Sequence, residues 1–368
     1  MTQSFIQDTQ EAIHEAIQSK GLLRITGSGT KDWFGAELKG NPLSTKNYQG
    51  IINYQPDELV ITVKSGTSIK EIELALEEKN QQFAFEPPHF GDNATIGGMV
   101  CSGLAGPGRV SAGSLRDFVL GAKIMDGQGQ VMNFGGTVMK NVAGYDVSRL
   151  MPGSLGTLAL LLDVSIKVLP KPIATATLQL EIEQQKAIHT MNLLASQPWP
   201  INASCWQGEQ NGMLHIRLSG AKAAVESATN SFKKNLGMKL LDPDEAKKFW
   251  DSLREHQSDW FKSSNHQALP LWRFAVAPTS NPINLPGSTL IEWHGGQRWW
   301  QGHLDAAAAK AIAAKAHGHA SIFRSSERDL AMLSSLNDNP LTKALVPVQE
   351  RLKKAFDPHG IFATGRLA

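Results

Sequence analysis

Two glycine-rich stretches carry the residue types best suited to anion chemistry. Gly27-Ser28-Gly29-Thr30-Lys31 follows the strand-like residues 22–25, and Thr95-Ile96-Gly97-Gly98 opens a small-residue run over 99–108. Without Cβ atoms in the way, successive backbone N–H groups approach a ligand closely, and such groups bind anions, phosphate above all. Ser28 and Thr30 add hydroxyls to the first stretch. A plain glycine turn after a strand is the competing reading there. Neither stretch is one of the common nucleotide loops. A dinucleotide fingerprint begun at Gly27-Ser28-Gly29 meets Asp32 where its third glycine belongs, and one begun at Gly106-Pro107-Gly108 meets Ser111. Neither ends in Gly-Lys-Ser/Thr, so a nucleotide held here sits in another fold.

Other residues offer less. Lys140-Asn141-Val142-Ala143-Gly144-Tyr145-Asp146 crowds polar side chains into a segment with no amphipathic period, which points to function more often than to structure; a solvated loop is the alternative. Arg273, Arg298, Arg324 and Lys140 would make a carboxylate pocket if they converged, and scattered surface charge if they did not. His294-Gly295-Gly296 and His317-Gly318-His319 lack the carboxylates and the spacing of a metal site, and His317 and His319 read as a turn. With two cysteines, Cys101 and Cys205, and no C-x-x-C, the chain has neither a disulfide framework nor iron–sulfur ligands.

Ordinary elements must position these residues. The chain's 368 residues allow two or more domains, and 36 basic against 34 acidic residues call for no nucleic acid. Residues 118–124 and 130–134 read as a hairpin about Asp126-Gly127-Gln128-Gly129. Asp8 is placed to cap a first helix, and Ser68 with Glu71 to form a capping box on a second. Residues 22–25, 51–53, 59–63 and 82–85 read as strands, and 158–168 as a buried strand pair. Lys171-Pro172 marks a domain boundary. Beyond it come strands over 176–182, 203–206, 213–218, 271–276 and 289–293, with helices over 186–195, 221–235, 246–261 and 304–316. Residues 325–339 read as a surface loop and 343–356 as a last helix. The first residues lack the apolar core of a signal peptide, and no apolar run is long enough to span a membrane.

Thr95-Ile96-Gly97-Gly98, the pair Arg116-Asp117, the segment Lys140 to Asp146, Gly153-Ser154-Leu155-Gly156-Thr157 and residues 351–367 together resemble the FAD-linked oxidases of the vanillyl-alcohol-oxidase type. That resemblance implies an α+β fold: a two-part PCMH-type FAD-binding domain over 1–172, an α+β cap with an antiparallel sheet over 173–340, and a helix and tail over 341–368 returning to the FAD domain. It implies FAD contacts from Gly27, Ser28, Gly29, Thr30, Lys31, Thr95, Ile96, Gly97, Gly98, Cys101, Ser102, Gly103, Arg109, Asp117, Gly156 and Leu160, with Lys140, Asn141 and Tyr145 as catalytic candidates beside the flavin. The FAD is expected to be non-covalent, since residues 27–31 hold no His and Cys101 follows the glycines that a linking cysteine would precede. Ala363-Thr364 stands where many relatives have Asn-Pro, which weakens the contact carried over there.

Within the family, length and motifs most resemble flavin subunits of complexes that oxidise glycolate, a 2-hydroxy acid, to glyoxylate. Oxidising such an acid takes a base, cations for the carboxylate and a hydride acceptor, and the family's His-x-Gly-Asp-Gly-Asn-x-His metal motif is missing. The expectation is therefore an electron-carrying or structural flavin subunit. Its expected partners are a second FAD-linked catalytic subunit and an iron–sulfur subunit, with docking through the tryptophan-bearing cap. Its expected place is the cytoplasm, peripheral at the inner membrane through those partners. The alternative is a self-sufficient FAD-dependent dehydrogenase of 2-hydroxy acids, D-lactate-like in kind.

Overall fold

The structure is a computed structural model that describes residues 2–35, 38–136, 146–262, 269–325 and 340–362, the last segment by backbone alone over 340–344. A five-stranded antiparallel sheet carries the glycine segments, in the order Ile51–Gln55, Val60–Lys64, Leu160–Lys167, Val119–Met125, Val131–Gly135. Its central strand is buried on both faces. Leu161, Val164 and Ile166 pack with Ile72 and Leu76 of the helix Ile69–Glu77 and with Met99 and Val100 of the helix Ile96–Ser102. Leu160 and Leu162 pack against Ile13 and Ala16 of the first helix, Thr2–Ser19. Two-sided burial explains why 158–168 is apolar without alternation; it is one strand, not the expected pair.

Two capping expectations give way to tertiary contacts. The first helix begins at Thr2, well before Asp8, because Phe5 stacks on Tyr48 at 4.7 Å and packing carries the helix past its weak cap. Ser68 sits at the cap of the second helix without a side-chain bond, and Ile69 N–H at the helix start is satisfied by Ala94 O at 2.8 Å. The Asp126 turn forms as read: its Oδ1 accepts from Gln128 N and Gln130 N at 2.9 and 2.8 Å. Of the strand expected over 82–85, only Gln81–Gln82 pairs, with Leu169–Pro170, while Phe83 and Phe85 turn into the core.

A second antiparallel sheet has eight strands, ordered Lys239–Leu240, Ala174–Glu183, Asn211–Gly220, Ile201–Gly208, Thr289–Glu292, Gln297–Gln301, Leu271–Ala275, His319–Arg324. The helices Gln184–Ala195 and Lys222–Leu236 pack on it through Ile188, Met191, Ala228 and Phe232. A separate cluster joins Cys205, Leu290, Trp299 and Phe323 of this sheet to Trp33, Phe90 and Leu104 from the first part of the chain. The single helix expected over 246–261 is two, Pro243–Arg254 and Asp259–Lys262, broken where His256 takes φ 52° and stacks on Phe261. Gln297–Gln301 is buried at every position and so has no alternation to read, and His319 opens a strand instead of completing a turn. Trp206, Trp250, Trp260, Trp272, Trp293, Trp299 and Trp300 are all buried, while Trp199 of the cap is half-buried. Among the described residues no helix is long and apolar enough to cross a membrane. The loop expected over 325–339 lies outside the described residues beyond Ser325.

The last helix, Pro340–Phe356, is clipped to the first sheet by one carboxylate. Asp357 Oδ1 accepts from Ile361 N at 3.0 Å, and Oδ2 accepts from Phe362 N at 2.8 Å and from Lys353 Nζ at 2.6 Å. Leu23 N donates to Ile361 O at 2.8 Å and Gly127 N to Phe356 O at 2.8 Å, so the clip ties the chain end to the strand that leads into the first glycine segment. Asp357→Ala is expected to cost about 3 kcal/mol by stranding buried donors, read as a lowered urea midpoint. An unchanged midpoint would show that the clip is immaterial.

Candidate functional site

The two glycine segments, remote in sequence, meet in one cleft of about 620 Å³ counting its open mouth. Gly27, Ser28, Gly29, Thr30 and Lys31 line one side, and Thr95, Gly97, Gly98, Cys101 and Ser102 the other, with Gly156 and Leu155 between them. The strand Leu23–Thr26 aims the first segment by pairing in parallel with Asn41–Ser44, a partner that the sequence reading missed because Pro42 disguises it.

The segments play different parts. The amides of Ser28, Gly29 and Thr30 donate to no described protein group and remain available to an anion. In the second segment Ile96 N donates to Thr67 O at 2.9 Å, Gly97 N to Ser65 O at 2.8 Å and Gly98 N to Thr95 Oγ1 at 3.3 Å. The expectation that both segments offer free amides is thus corrected: the second is a helix start whose amides are engaged within the protein. It contributes shape. A Cβ on Gly97 would lie 2.9 Å from Ser65 O, whereas one on Gly98 would meet only Thr95 Oγ1, at 3.3 Å. Ser65 Oγ, buried in the wall of the same cleft, has no partner among the described residues. Free amides, an orphaned hydroxyl and an open glycine face fit a pyrophosphate-bearing ligand.

Charge beside the cleft is largely spent inside the protein. Lys31 Nζ donates to His89 O at 3.0 Å and lies 5.7 Å from the Phe90 ring centre; burial lowers its pKa to about 8 against the upward pull of Glu255. Asp32 pairs with Arg24 at 3.2 Å. Anion binding here rests on amide dipoles more than on a cation.

The remaining expected residues lie elsewhere. Ile96 is fully buried in the core, and Leu160 packs under the first helix while its neighbour Leu161 reaches the cleft. Asp117 is occupied by the turn at Ser114, accepting from its N–H and its hydroxyl at 2.8 Å each. Gly103 and Arg109 line a second cavity with Arg273. Arg298 does not join them; its guanidinium donates to Gly295 O, Asn281 O and Ser280 O. Arg324 lies over Trp33 at 4.3 Å. Lys140, Asn141 and Tyr145 fall outside the described residues. Ser65 was missed because a lone serine at a strand end carries no sequence signal.

The two glycines make separable predictions. Gly98→Val should empty the cleft of the flavin that the motifs imply, with the melting temperature of the flavin-free chain held, because the branched side chain takes ligand space. Gly97→Ala should lower stability by about 1–3 kcal/mol, because its Cβ meets backbone. Flavin absorbance and thermal melting of both variants check this; full flavin retention by Gly98→Val would remove the cleft from consideration.

Comparison with known proteins points the same way. Residues 5–135 match the family described as FAD binding domain. The chain is 40% identical over 366 residues to the glycolate oxidase subunit GlcE of Escherichia coli (strain K12), covering 99% of this chain and 97% of that one. The glycolate oxidase subunit GlcD of Bacillus subtilis (strain 168) is 32% identical over 139 residues, 38% of this chain and 29% of that protein. Among solved structures, p-cresol methylhydroxylase with substrate bound matches with TM-score 0.70 and 13% identity over 98% of this chain and 87% of that one, a likeness of fold. The α+β, PCMH-like fold and the FAD cofactor expected from sequence are borne out. Identity that runs the whole length of both chains, together with the FAD-binding match over the cleft's two segments, shows that this chain belongs to the family of the glycolate oxidase subunit GlcE, among the FAD-linked oxidoreductases.

Proposed function

We propose that this chain is the FAD-binding subunit of a complex that oxidises glycolate to glyoxylate, and that it holds its flavin without a covalent bond. The observation that carries the reading is the cleft, where free amides at Ser28 to Thr30 face the open glycine surface of Gly98. Bound FAD supplies a hydride acceptor. The chain's own part is to hold the pyrophosphate on Ser28, Gly29 and Thr30, to shape the cleft with Gly97, Gly98 and Gly156, and to exclude water with Leu155 and Leu161. No histidine lines the cleft among the described residues, which favours non-covalent attachment; Cys101 does line it and is the residue to test.

Residues 1–172 form the FAD-binding domain in this reading, 173–340 the cap, and 341–368 the returning helix and tail. The relative matched end to end is named as a subunit. The missing parts are assigned to a second FAD-linked subunit with the main substrate site and to an iron–sulfur subunit at the membrane. A self-sufficient 2-hydroxy-acid dehydrogenase remains the second reading, favoured by Arg109 and Arg273 meeting at one cavity.

Two measurements decide. Acid precipitation should release about one FAD per chain into the supernatant; flavin retained in the pellet would point to Cys101. Glycolate oxidation with an artificial acceptor should require the co-purifying proteins. The isolated chain turning over at the rate of the whole preparation would defeat the subunit reading in favour of the dehydrogenase.

A further inference from the structure

The second cavity, about 520 Å³ counting its open mouth, lies between residues 103–109 and the strands Thr289–Glu292 and Gln297–Gln301. Its walls are aromatic, with Phe90, Trp293, Trp299 and Phe323, and its polar lining includes Arg109, Arg273, Glu292, Gln297 and His256. Arg273 Nε donates to Gln297 Oε1 at 2.8 Å, Gln297 Nε2 donates to Glu292 Oε2 at 3.2 Å, and Trp299 Nε1 donates to the same oxygen at 2.7 Å. This chain of bonds fixes Arg273 through its Nε alone. Among the described residues its terminal nitrogens have no protein acceptor, and the guanidinium of Arg109 has none either. The two guanidiniums lie 5.4 and 4.5 Å from the centre of the same Trp293 ring. His256 Nδ1 is buried without a partner as well.

Two unpaired cations in an aromatic cavity are costly unless an anion completes them. The protein's counter-charge is Asp117, which acts on Arg109 from outside the lining, and Glu292, which acts on Arg273. Glu292, the one carboxylate in the lining, is buried, and that burial raises its carboxyl to about 7 despite Trp299, Gln297 and Arg273. Burial and Arg109 lower Arg273 to about 10, which leaves it cationic at neutral pH. Guanidinium forks with unused terminal N–H groups suit a planar carboxylate. We propose that this cavity is a binding site for a small monocarboxylate of the 2-hydroxy- or 2-oxo-acid kind, held by Arg273 and Arg109 against Trp293. The choice of acid rests on the function proposed above; the carboxylate itself rests on the cavity.

Glu292 sets the pH range. Arg109, Arg254, Arg273 and His256 line the cavity with it, while Glu86 and Cys205 interact with it from neighbouring segments. Protonated, it leaves the anion unopposed; ionised, it competes for Arg273. Affinity is therefore highest below about 7 and falls as pH rises through it.

The test is calorimetric titration of the flavin-loaded chain with glycolate, glyoxylate and acetate, against uncharged glycolamide and inorganic phosphate, with tryptophan fluorescence as a second readout. The monocarboxylates should bind and glycolamide should not. Arg273→Met and Arg109→Met should each weaken binding roughly tenfold to a hundredfold, the loss of a charge-assisted pair, and Glu292→Gln should flatten the pH dependence. Should Arg273→Met fail to fold, Arg109→Met, on a separate segment, decides. No heat from any monocarboxylate at millimolar concentration, equal binding of glycolamide, tighter binding of phosphate, or unchanged affinity in Arg109→Met would overturn the proposal. Flavin absorbance of the same samples separates the two readings: a colourless chain that binds carboxylates sinks the flavin assignment and leaves this one standing.

Discussion

One carboxylate holds the first part of the chain against the second sheet, and both cavities depend on where it puts the backbone between them. Glu86 Oε2 accepts from Gly108 N at 2.6 Å and from Arg217 Nη2 at 2.8 Å. Arg217 is itself fixed by Nε to Asn202 Oδ1 at 2.6 Å and lies over Trp250 at 4.9 Å. Arg217 is buried and Glu86 partly so, and a pair of this kind with its donors satisfied specifies a position more than it adds stability. A Cβ on Gly108 would fall 2.8 Å from that same carboxylate oxygen, so the close approach needs glycine. From this clamp the chain runs one way to Arg109 in the second cavity and the other way to Gly103 at the end of the cleft helix.

The two sites divide the anion problem between different physical means. The cleft uses free amides and withdraws its nearest cation, since Lys31 turns toward His89 O and gives up part of its basicity to burial. The second cavity does the reverse, presenting guanidiniums without amides. Extended phosphates suit a row of N–H groups, whereas a compact carboxylate suits a fork.

Much of this was legible. Glycine at 27, 29, 97 and 98 marked the cleft, because unhindered backbone is a local property that sequence states directly. The Asp126 turn was legible for the same reason, as its carboxylate bonds two amides a few residues away. What escaped depends on long-range partners. Gln297–Gln301 is a strand because Leu271–Ala275 and Thr289–Glu292 flank it, and its polar members Gln297 and Arg298 are buried by bonds to residues that no spacing rule connects. Whether Arg109 and Arg273 converge was likewise a question of topology, since they sit on opposite parts of the fold.

The turn that presents Trp293 shows what such convergence costs. Trp293 and His294 take φ of 53° and 57°, and Gly295 takes 101°, a run of left-handed residues that disfavours side chains by about 1–3 kcal/mol for each non-glycine. Tertiary bonds hold the run in place. Trp293 Nε1 donates to Gly106 O at 3.1 Å, and Asn192 Nδ2 donates to His294 O at 3.0 Å. His294 N donates to Ser204 Oγ at 3.0 Å, and the same hydroxyl shares a hydrogen bond of 2.9 Å with His294 Nδ1. Burial lowers the pKa of this imidazole. A relaxed turn would swing the indole away from Gly106 and leave both guanidiniums without the ring that they share, so the strain is tolerated where it sets the wall of the second cavity.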